Sequence, residues 1–338
     1  MISRKILIIP NKVECNKLHE RFNEILDKSS RLELKRIKFN KIKDLFSFDI
    51  ISSSFSSKNK IDAILLHWHD NHLVGKNNRI SLIGILKYFF LLIYFKLIAK
   101  KLYYFHHNYH PHALTGFEAF LAKIIIQFGS HFSDSQFSMN PDDKNKKIFY
   151  IPHPLFKVNK NNSSSFIKSD DFYLLFGIIL PYKQFDNVIA NWISDKKLII
   201  AGSSPSSKYL DYLKTISKGK NVIFYPNFQT ENQMTDLFRK TEALILPQVN
   251  ASCRVSSNLY LALSHQTSIM AIKDSFSHSV KNFHSLKDIF IYEDVKCLCK
   301  AVDNGFEKPP KNEKSGINDL LSDQIIESYY KKYLSFTN

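Results

Sequence analysis

Residues 172–183 read Phe-Tyr-Leu-Leu-Phe-Gly-Ile-Ile-Leu-Pro-Tyr-Lys, an apolar run that reaches a glycine and is followed by a proline and a lysine. A short continuous apolar run bounded by Gly and Pro is typical of a strand buried in a parallel sheet. A helical pattern follows at 185–192, and a second apolar strand at 197–201 ends in Gly202. This strand–helix–strand order predicts a βαβ unit, the building block of α/β domains.

The same alternation extends over the whole chain. The predicted strands are short apolar runs, and they lie at 5–9, 32–37, 61–66, 103–105, 172–176, 197–201, 222–225, 243–246 and 268–272. Helical patterns lie between several of them, at 16–26, 185–192, 207–216 and 230–240, and another begins at Ser256. A chain of 338 residues is longer than one such core requires, so we expect two doubly wound, Rossmann-like α/β domains.

A polar stretch of low complexity at 157–171 predicts the linker between these domains. The expected boundaries are 1–153 for the first domain and 172–305 for the second. A pair of prolines at 309–310 precedes a last helical pattern at 318–334, which we expect to pack back on the first domain.

The net charge of +16 is distributed unevenly. Residues 1–152 hold 24 Lys and Arg against 13 Asp and Glu, a net +11, whereas the remainder holds 23 against 18, a net +5. A basic first half suits nucleic acid, an anionic membrane surface or a phosphorylated substrate. No stacking-aromatic or zinc-finger pattern accompanies the charge, so nucleic acid is not expected as a partner. The four cysteines lack zinc spacing and indicate a reduced, cytoplasmic protein.

Small and basic residues follow successive strands of the second half. They are Gly177, Lys183, Gly202, Ser203, Ser256 and Ser257. Glycine lets a backbone approach a phosphate closely, lysine supplies a cation, and a helix N-terminus capped by serine favours anions. Because the carboxyl ends of parallel strands meet at one edge of a sheet, these residues predict a site for a nucleotide diphosphate.

Two histidine-rich segments follow predicted strands of the first half, His67-Trp-His-Asp-Asn-His72 and His106-His-Asn-Tyr-His-Pro-His112. Both lie at the edge where an open α/β sheet binds its ligands. Asp70 is the first candidate for a general base that deprotonates an acceptor hydroxyl, and His107 and Glu118 are alternatives. An ion pair between Asp70 and a neighbouring cation is an equally good interpretation.

Five segments resemble bacterial GT-B glycosyltransferases that build capsule, O-antigen or exopolysaccharide. Residues 176–183 are similar to the F-G-x-I-R-P-Y-K of that family, and residues 106–112 to its T-x-H-N-x-x-P-H. Leu66-His-Trp-His69 resembles its H-x-H-W, and Ile151-Pro-His-Pro154 matches its I-P-H-P. The serines at 256–257, with Leu-Ala-Leu at 261–263, stand where the family has S-G-x-x-x-L-A-L. The matches follow the order of the family and cover nearly the whole chain.

The resemblance implies a GT-B fold, in which two Rossmann-like domains face a cleft and a sugar passes from a nucleotide to an acceptor. The second domain would bind a UDP- or GDP-sugar, with Lys183 against the phosphates and the amides of Ser256 and Ser257 beside them. The first would bind an oligosaccharide acceptor, expected to be lipid-linked. His107 would reach the transferred sugar and Asn108 would support it, while His67, His69 and His112 belong to the acceptor side. The resemblance implies no metal and no further cofactor, because lysine and helix dipoles act as the cation.

The chain also departs from the family. The larger retaining family carries two glutamates eight positions apart, where this chain has Cys253 and Leu261. Leu180 replaces an arginine, Ser257 replaces a glycine, and the polar segment at 9–16 replaces a glycine-rich loop. Retention of configuration is therefore not implied, and a catalytically degenerate GT-B binding module stays as an alternative.

A second alternative is a metal-dependent hydrolase. The segment His67-Trp-His-Asp-Asn-His72 nearly spells the H-x-H-x-D-H of metallo-β-lactamase-type enzymes. Asn71 stands where that motif requires a carboxylate, and an amide is a poor replacement for a metal-binding carboxylate. This hypothesis requires the side chains of His67, His69 and His72 to converge on one point.

The apolar stretch at 80–100 predicts a helix that is too short in its uninterrupted part to span a bilayer. A core helix between two strands is one interpretation. The other is contact with the anionic inner face of the cell membrane, through Lys87, Lys96, Lys100 and Lys101 and exposed aromatic residues within 88–95. The second interpretation predicts a cytoplasmic protein that is peripheral to the membrane.

Overall fold

The computed structural model of the protein describes residues 4–10, 17–28, 34–37, 46, 51, 60–143, 147–158, 171–248, 255–273, 275–306 and 321–333. These residues divide into two compact units. The first unit contains the described residues up to Pro154, Val255 and those from Asp323 onward, and the second contains the rest. Most of the predicted linker at 157–171, the segment at 11–16 and Cys253 lie outside the described residues.

The first unit is built on a parallel sheet in the order β2-β1-β3-β4-β5-β6. Its strands are β1 (Arg4–Ile9), β2 (Leu34–Ile37), β3 (Ile61–His67), β4 (Ala99–His106), β5 (Ser135–Ser138) and β6 (Ile148–Tyr150). The central strand β3 is almost fully buried, which explains its continuous apolar sequence. The strand order reverses between β1 and β3, so the switch point of this sheet lies where these strands end, at Ile9 and His67.

The helices of the first unit are α1 (Lys17–Lys28), α2 (Leu82–Ile98) and α3 (Gly116–Ser130). The predicted helix at 80–100 is therefore two residues shorter at each end, and Ser81 caps it by accepting a hydrogen bond from the amide of Gly84. The next strand starts at Ala99. Lys100 and Lys101 consequently lie on β4 and not on the helix, which corrects the sequence-based expectation.

The second unit is built on a parallel sheet in the order β12-β11-β10-β7-β8-β9. Its strands are β7 (Phe172–Phe176), β8 (Lys197–Ala201), β9 (Val222–Tyr225), β10 (Ala243–Leu246), β11 (Ile269–Ile272) and β12 (Ile289–Tyr292). This is the strand order of dinucleotide-binding α/β domains. The order reverses between β7 and β10, and ligands of such sheets bind beyond the carboxyl ends of the strands at that point.

The helices of the second unit are α4 (Phe185–Asn191), α5 (Ser207–Ile216), α6 (Glu231–Lys240), α7 (Ser257–Ser264), α8 (Phe276–His284) and α9 (Val295–Asp303). Local sequence fixes several of their starts. In α6, the Thr230 side chain accepts from the amide of Gln233, and the Gln233 side chain accepts from the amide of Thr230, which is a capping box. Helices α4, α5 and α9 bury apolar faces against the sheet around Trp192, Leu213 and Leu298.

A last helix, α10 (Asp323–Tyr333), returns to the first unit. The ring of Tyr330 lies edge-on to Phe22 of α1 at 5.2 Å, and Tyr333 lies 4.8 Å from Phe149 of β6. Arg21 of α1 forms an ion pair with Asp323. Both ends of the described chain thus contribute to one core.

Candidate active site

At the switch point of the second unit, β7 ends in Gly177, a residue with a positive φ of 107°. The amide of Gly177 donates to the carbonyl of Ala201 at 2.9 Å, and that of Ile179 donates to Ser203 at 2.9 Å. The loop after β7 is therefore held beside the loop after β8 by backbone hydrogen bonds. This brings the predicted residues Gly177, Gly202 and Ser203 together at one edge of the sheet.

Gly202 is required by the packing of these two loops. Its φ is 142°, and a Cβ added there would lie 2.1 Å from the carbonyl oxygen of Gly177. Only a residue without a side chain fits such an approach of two backbones. We expected Gly202 to make room for a phosphate, but in this structure it makes room for Gly177.

Gly177 faces two polar side chains. A Cβ at Gly177 would lie 2.9 Å from Nδ2 of Asn258 and 3.1 Å from Nζ of Lys183. Asn258, in the first turn of α7, donates from Nδ2 to the carbonyl of Phe176 at 2.6 Å and so ties α7 to the end of β7. Lys183 ends a short 3₁₀ turn, Pro181–Lys183, and its ammonium lies 5.8 Å from the ring centre of Tyr182. The glycine thus leaves a space bordered by a cation and an amide.

Asn258 is a site residue that the sequence did not reveal. Its hydrogen bond spans 82 positions of the chain, which no local sequence pattern indicates. The one signal that pointed to it was its place in the first turn of a helix following a strand at the switch point.

The start of α7 differs in detail from the prediction. The helix begins at Ser257, and Ser256 is the N-cap residue. The Ser256 side chain makes no capping hydrogen bond, and its hydroxyl instead lies 3.5 Å from Nε2 of Gln248. Ser256 is buried, whereas Ser257 is exposed. The amides at the helix start are thus not capped by Ser256, and they carry the positive end of the helix dipole. Leu261, one of the two positions where relatives have a glutamate, is buried in the same helix.

At the switch point of the first unit, His67 and His107 form a buried pair. Nδ1 of His67 lies 2.9 Å from Nε2 of His107, so one ring donates and the other accepts. The His67 ring stacks on Phe105 at 4.2 Å, and the His107 ring stacks on Trp68 at 4.1 Å. Both rings are therefore fixed in position and orientation.

Burial keeps this pair neutral. Desolvation, followed by the neighbouring imidazole of His107, holds the pKa of His67 well below its usual value. Desolvation, followed by His153 and His106, lowers the pKa of His107 to about 3. A neutral imidazole keeps a lone pair that can accept a hydrogen bond from a hydroxyl. A pKa of about 3 makes His107 a weak base at neutral pH, so the geometry suits orientation of a hydroxyl better than removal of its proton.

The neighbours of the pair have fixed tautomers. Nδ1 of His153 donates to the carbonyl of Pro154 at 2.6 Å, and burial lowers the pKa of this ring to about 3. Nε2 of His106 donates to Oε1 of Gln136 at 3.0 Å, because Nε2 of Gln136 donates to the carbonyl of Ser130. His19 of α1 also donates from Nε2, to the carbonyl of Pro10 at 2.7 Å. We call His19, His67, His106, His107 and His153 the histidine cluster.

His69 and Asp70 lie on the other side of the sheet from His67. Nε2 of His69 donates to the carbonyl of Tyr88 in α2 at 3.1 Å, and burial lowers the pKa of this ring to about 3. Asp70 is 3% exposed and lies near Tyr88, where its charge adds to the rise of the phenol pKa that burial causes. His107 is buried to the same degree, at 4% exposure, so burial does not choose between these two predicted bases.

The remaining predicted residues of the first unit lie in different settings. Asn108 is buried directly after His107, whereas His112 is exposed in a turn. Glu118, an alternative base, accepts a hydrogen bond from the amide of Ile80 at 3.1 Å, which links α3 to the start of α2. The structure thus brings His67, His107 and Asn108 together and separates them from His69, Asp70 and His112.

A small cavity of about 210 Å³ adjoins the histidine cluster. It lies between α3 and the ends of β4 to β6, and His106, Tyr109, Lys123 and Gln136 contribute to its walls. This volume is below the roughly 300–1,000 Å³ of pockets that hold larger ligands, so the cavity is too small for a nucleotide sugar.

The convergence that a metal site would require is not found. His67 contacts Phe22 and Phe105, whereas His69 contacts Tyr88 and packs at 5.1 Å from His72. Across the described parts of the chain, no three His, Cys, Asp or Glu side chains are grouped as metal ligands. The residues of the hydrolase motif therefore do not form its metal site.

Comparison with known proteins identifies the fold. No protein-family model and no curated protein sequence matches the chain. Solved structures match it over nearly its full length. The sucrose-phosphate synthase of Thermosynechococcus elongatus superposes with a TM-score of 0.64 and 10% identity, covering 99% of this chain and 100% of that chain. HepE of Anabaena, in complex with UDP and glucose, superposes with a TM-score of 0.61 and 11% identity, covering 99% and 100%.

A third structure, a glycosyltransferase of avilamycin A biosynthesis, superposes with a TM-score of 0.54 and 12% identity, covering 98% of this chain and 97% of that chain. The chain has the GT-B fold. The chain contains two parallel α/β sheets, and it superposes on these GT-B structures over nearly its full length. The fold is also different from the four-layered sandwich of the hydrolase alternative. At this level of identity the GT-B likeness establishes architecture, and the roles of residues have to come from the site itself.

Proposed function

We propose that the protein is a glycosyltransferase that moves a sugar from a nucleotide diphosphate, UDP or GDP, to an oligosaccharide acceptor. The observation that carries the proposal is the arrangement at the switch point of the second unit. There, Lys183 and Asn258 border the space beside Gly177, at the edge where such sheets bind nucleotides. UDP is the better candidate of the two nucleotides, since HepE was solved in complex with UDP and with UDP-glucose.

In this proposal the second unit binds the donor. A nucleoside diphosphate that leaves from the sugar carries negative charge, and the site has to stabilise this charge as it develops. Lys183 would supply a cation, and the amides of Ser257 and Asn258 at the start of α7 would donate hydrogen bonds. Ser203, beside Gly202, would add a hydroxyl. Lysine and helix dipole together are the proposed substitute for a metal ion.

The first unit would hold the acceptor and the reacting sugar. His107 is the proposed catalytic residue, because it is neutral at physiological pH and its ring is held by His67 and Trp68. His67 is proposed as a positioning residue, and Asn108 as a supporting one. Asp70 stays the alternative base, and its carboxylate lies near Tyr88, whereas the histidine pair lies beside Phe105 and Trp68.

The proposed acceptor is a lipid-linked oligosaccharide of a bacterial surface polysaccharide, such as capsule or O-antigen. What supports it is the sequence resemblance together with the basic first half, with a net +11 over residues 1–152. A lipid-linked acceptor would be met at the cytoplasmic face of the inner membrane, whose anionic surface attracts basic proteins. No helix within the described residues is long and apolar enough to cross a bilayer. We therefore propose a peripheral association.

A thermal-shift screen against nucleoside diphosphates and their sugars tests the proposal most directly. A ligand at 100 times its dissociation constant stabilises a folded protein by about 2.7 kcal/mol, which gives a clear rise in Tm. We expect such a rise with UDP and a UDP-sugar, followed by release of UDP when an acceptor extract is added. No stabilisation by any nucleotide would contradict the assignment. Binding without turnover, over a broad set of acceptors, would favour the degenerate binding module.

A further inference from the structure

The outer faces of α2 and α3 are apolar. In α2 the exposed large side chains are Leu82, Ile83, Leu86, Phe90, Ile93 and Leu97, and in α3 they are Phe117, Phe120, Ile124 and Phe128. Each of these side chains is between 47% and 77% exposed. Their spacing of three and four residues puts them on one side of each helix. We call these residues the α2–α3 outer face.

The inner sides of the same helices are also apolar. Tyr88, Leu92 and Phe95 of α2 and Ala122 and Ile126 of α3 are buried against the sheet. A helix of a water-soluble domain carries polar residues opposite its buried face, and a helix that is apolar all round is covered by something else. The core of this unit is formed by the inner sides of the two helices, so the outer sides are not required for its packing.

The two stripes form one continuous surface. Gly129 of α3 lies so close to Tyr88 of α2 that an added Cβ would be 2.4 Å from the ring. Phe89 of α2, at the seam, packs against Phe128 at 5.8 Å and Phe132 at 6.2 Å. Ten large side chains that are each about half exposed amount to apolar area on the order of 1,000 Å², above the few hundred Å² that a monomer usually shows.

The charges beside this surface are positive. Lys87 lies next to Leu86, and Lys123 lies next to Ile124; both are exposed. Glu118 is the only carboxylate in the two helices, and it is bound to the amide of Ile80. Lys96 also borders the stripe, 2.6 Å from Asp134 at its end. The surface therefore combines apolar side chains with flanking cations.

We propose that the α2–α3 outer face docks onto an anionic lipid bilayer, with its aliphatic and phenyl side chains inserted among the lipids. Apolar side chains in the interfacial layer with lysines at the level of the head groups are the arrangement that anionic membranes bind. A second copy of the chain fits less well, because a two-fold contact would bring the lysines of both copies together without carboxylates to pair with them. This inference rests on the proposed function only for its purpose, which is access to a lipid-linked acceptor.

The structure changes which residues are proposed to contact the membrane. The sequence predicts attraction through Lys87, Lys96, Lys100 and Lys101. Of these, Lys100 forms an ion pair with Asp62 at 2.7 Å and Lys101 lies 3.9 Å from Asp134. Tyr88 and Phe95, expected as exposed aromatics, are buried. Helix α3, which the sequence-based expectation does not include, also has exposed apolar side chains. Insertion of apolar side chains then contributes alongside electrostatic attraction.

Flotation of the full chain with vesicles tests the proposal. We expect binding to phosphatidylcholine vesicles that contain phosphatidylglycerol, and part of this binding should persist in high salt. The variant Phe117→Ser/Phe120→Ser/Phe128→Ser should lose at least about tenfold in partitioning, because it removes three of the four exposed side chains of α3. Lys87→Glu/Lys123→Glu should lower binding to the anionic vesicles and leave binding to phosphatidylcholine alone unchanged.

A matched control is available in the second unit. Ile193, Phe228 and Phe283 are equally large and exposed but are not part of the α2–α3 outer face. Ile193→Ser/Phe228→Ser/Phe283→Ser should float like the unchanged protein, and both triple variants should keep its Tm and its response to UDP. Equal loss in both triple variants, or no flotation of the unchanged protein, would overturn the proposal. So would a concentration-dependent dimer that disappears with the α3 variant alone. None of these outcomes bears on UDP binding, so the proposed function is tested separately.

Discussion

The switch points of the two sheets differ in the environment that they give to ligand-type residues. In the first unit, His67 at the end of β3 and His107 directly after β4 are buried, stacked and neutral. In the second unit, β7 and β8 end in glycines with positive φ, beside a lysine and an asparagine. The first arrangement fixes side chains, and the second brings backbone and cation close to a common space. The same architecture therefore holds fixed, uncharged rings in one unit and a lysine beside glycine loops in the other.

The positive charge of the first half does not come from its histidine pair. The first half of the chain holds most of the net charge, +11 over residues 1–152, yet its histidine pair is neutral. Two of its described cations, Lys96 on α2 and Lys100 on β4, pair with aspartates. A basic sequence thus did not mean a basic site.

The largest effect is expected from filling the contact between the two glycine loops. Gly202→Ala adds a Cβ 2.1 Å from the carbonyl of Gly177, at a φ of 142°. Because both backbones are held by strand pairing, neither can move without breaking hydrogen bonds. We expect a loss of about 4 kcal/mol or more in the free energy of unfolding, measured by urea denaturation, together with loss of UDP binding.

Gly219→Ala is the matched control for this prediction. Gly219 also has a positive φ, 77°, but a Cβ there would meet nothing within 4 Å. The substitution should cost only the backbone strain, about 1–2 kcal/mol. Equal losses at both positions would show that the close packing at Gly202 has no energetic importance.

Acid should destabilise the first unit through its buried imidazoles. In the folded state His69, His107 and His153 have a pKa of about 3, against 6.5 for an unperturbed imidazole. Their stabilising effect is therefore complete above pH 6.5 and is lost as the pH falls from 6.5 towards 3, because the unfolded chain takes up protons that the folded chain does not. When the pH falls from 7 to 5.5, each group should lower the free energy of unfolding by about 1.2 kcal/mol, and the three together by about 3–4 kcal/mol.

His69→Leu sharpens this pH prediction. The variant removes one of the titrating groups from the interior. As the pH falls from 6 to 4, unfolding should therefore take up about one proton fewer, and the slope of the unfolding free energy against pH should be smaller by that amount. Urea denaturation at several pH values measures both slopes. A free energy that stays constant from pH 7 to 5.5 in the unchanged protein would mean that the imidazoles are charged or hydrated in the folded state.

Much of the second unit could be predicted from its sequence. The strands at 172–176, 197–201, 222–225 and 243–246 have the predicted bounds, because each is a short apolar run ended by Gly, Pro or a polar turn. The place of Lys183 and Gly177 followed from the same rule. Asn258 could not be found in this way, since its role depends on a hydrogen bond to Phe176 across the sheet.

The first unit was harder to predict, for two physical reasons. Helix α3 is apolar on both its buried and its exposed side, so its sequence lacks the period of an amphipathic helix. His67 and His69 would share one face if β3 continued, since side chains alternate along a strand. The strand ends at His67 instead, and Trp68 takes a left-handed φ of 50°, which turns His69 towards α2. Alternation alone cannot show where a strand stops.

A smaller effect is expected at the cation of the second unit. Lys183→Ala should weaken UDP binding by about 1.5–3 kcal/mol, the value of a hydrogen bond to a charged group. Lys183 is partly exposed in a turn, so the Tm without ligand should change little. Lys196→Ala, at an exposed position before β8, is the control and should bind UDP normally. Isothermal titration calorimetry measures both, and unchanged affinity in a folded Lys183→Ala protein would remove Lys183 from the site.

The smallest effect is expected from loosening the histidine pair, and it should appear in the rate alone. His67→Phe keeps an aromatic ring to stack on Phe105 but removes the nitrogen that lies 2.9 Å from Nε2 of His107. His107 would then lose the partner that fixes its tautomer and orientation. For a group that orients a reacting hydroxyl, we expect this to cost about tenfold in kcat. UDP affinity should not change, because in the proposed function UDP contacts the second unit. A structural role for His67 would instead lower Tm and weaken kcat and UDP binding together. His67→Gln, whose side-chain amide can still bond to His107, should recover part of the rate, and failure to do so would leave His67 as a packing residue.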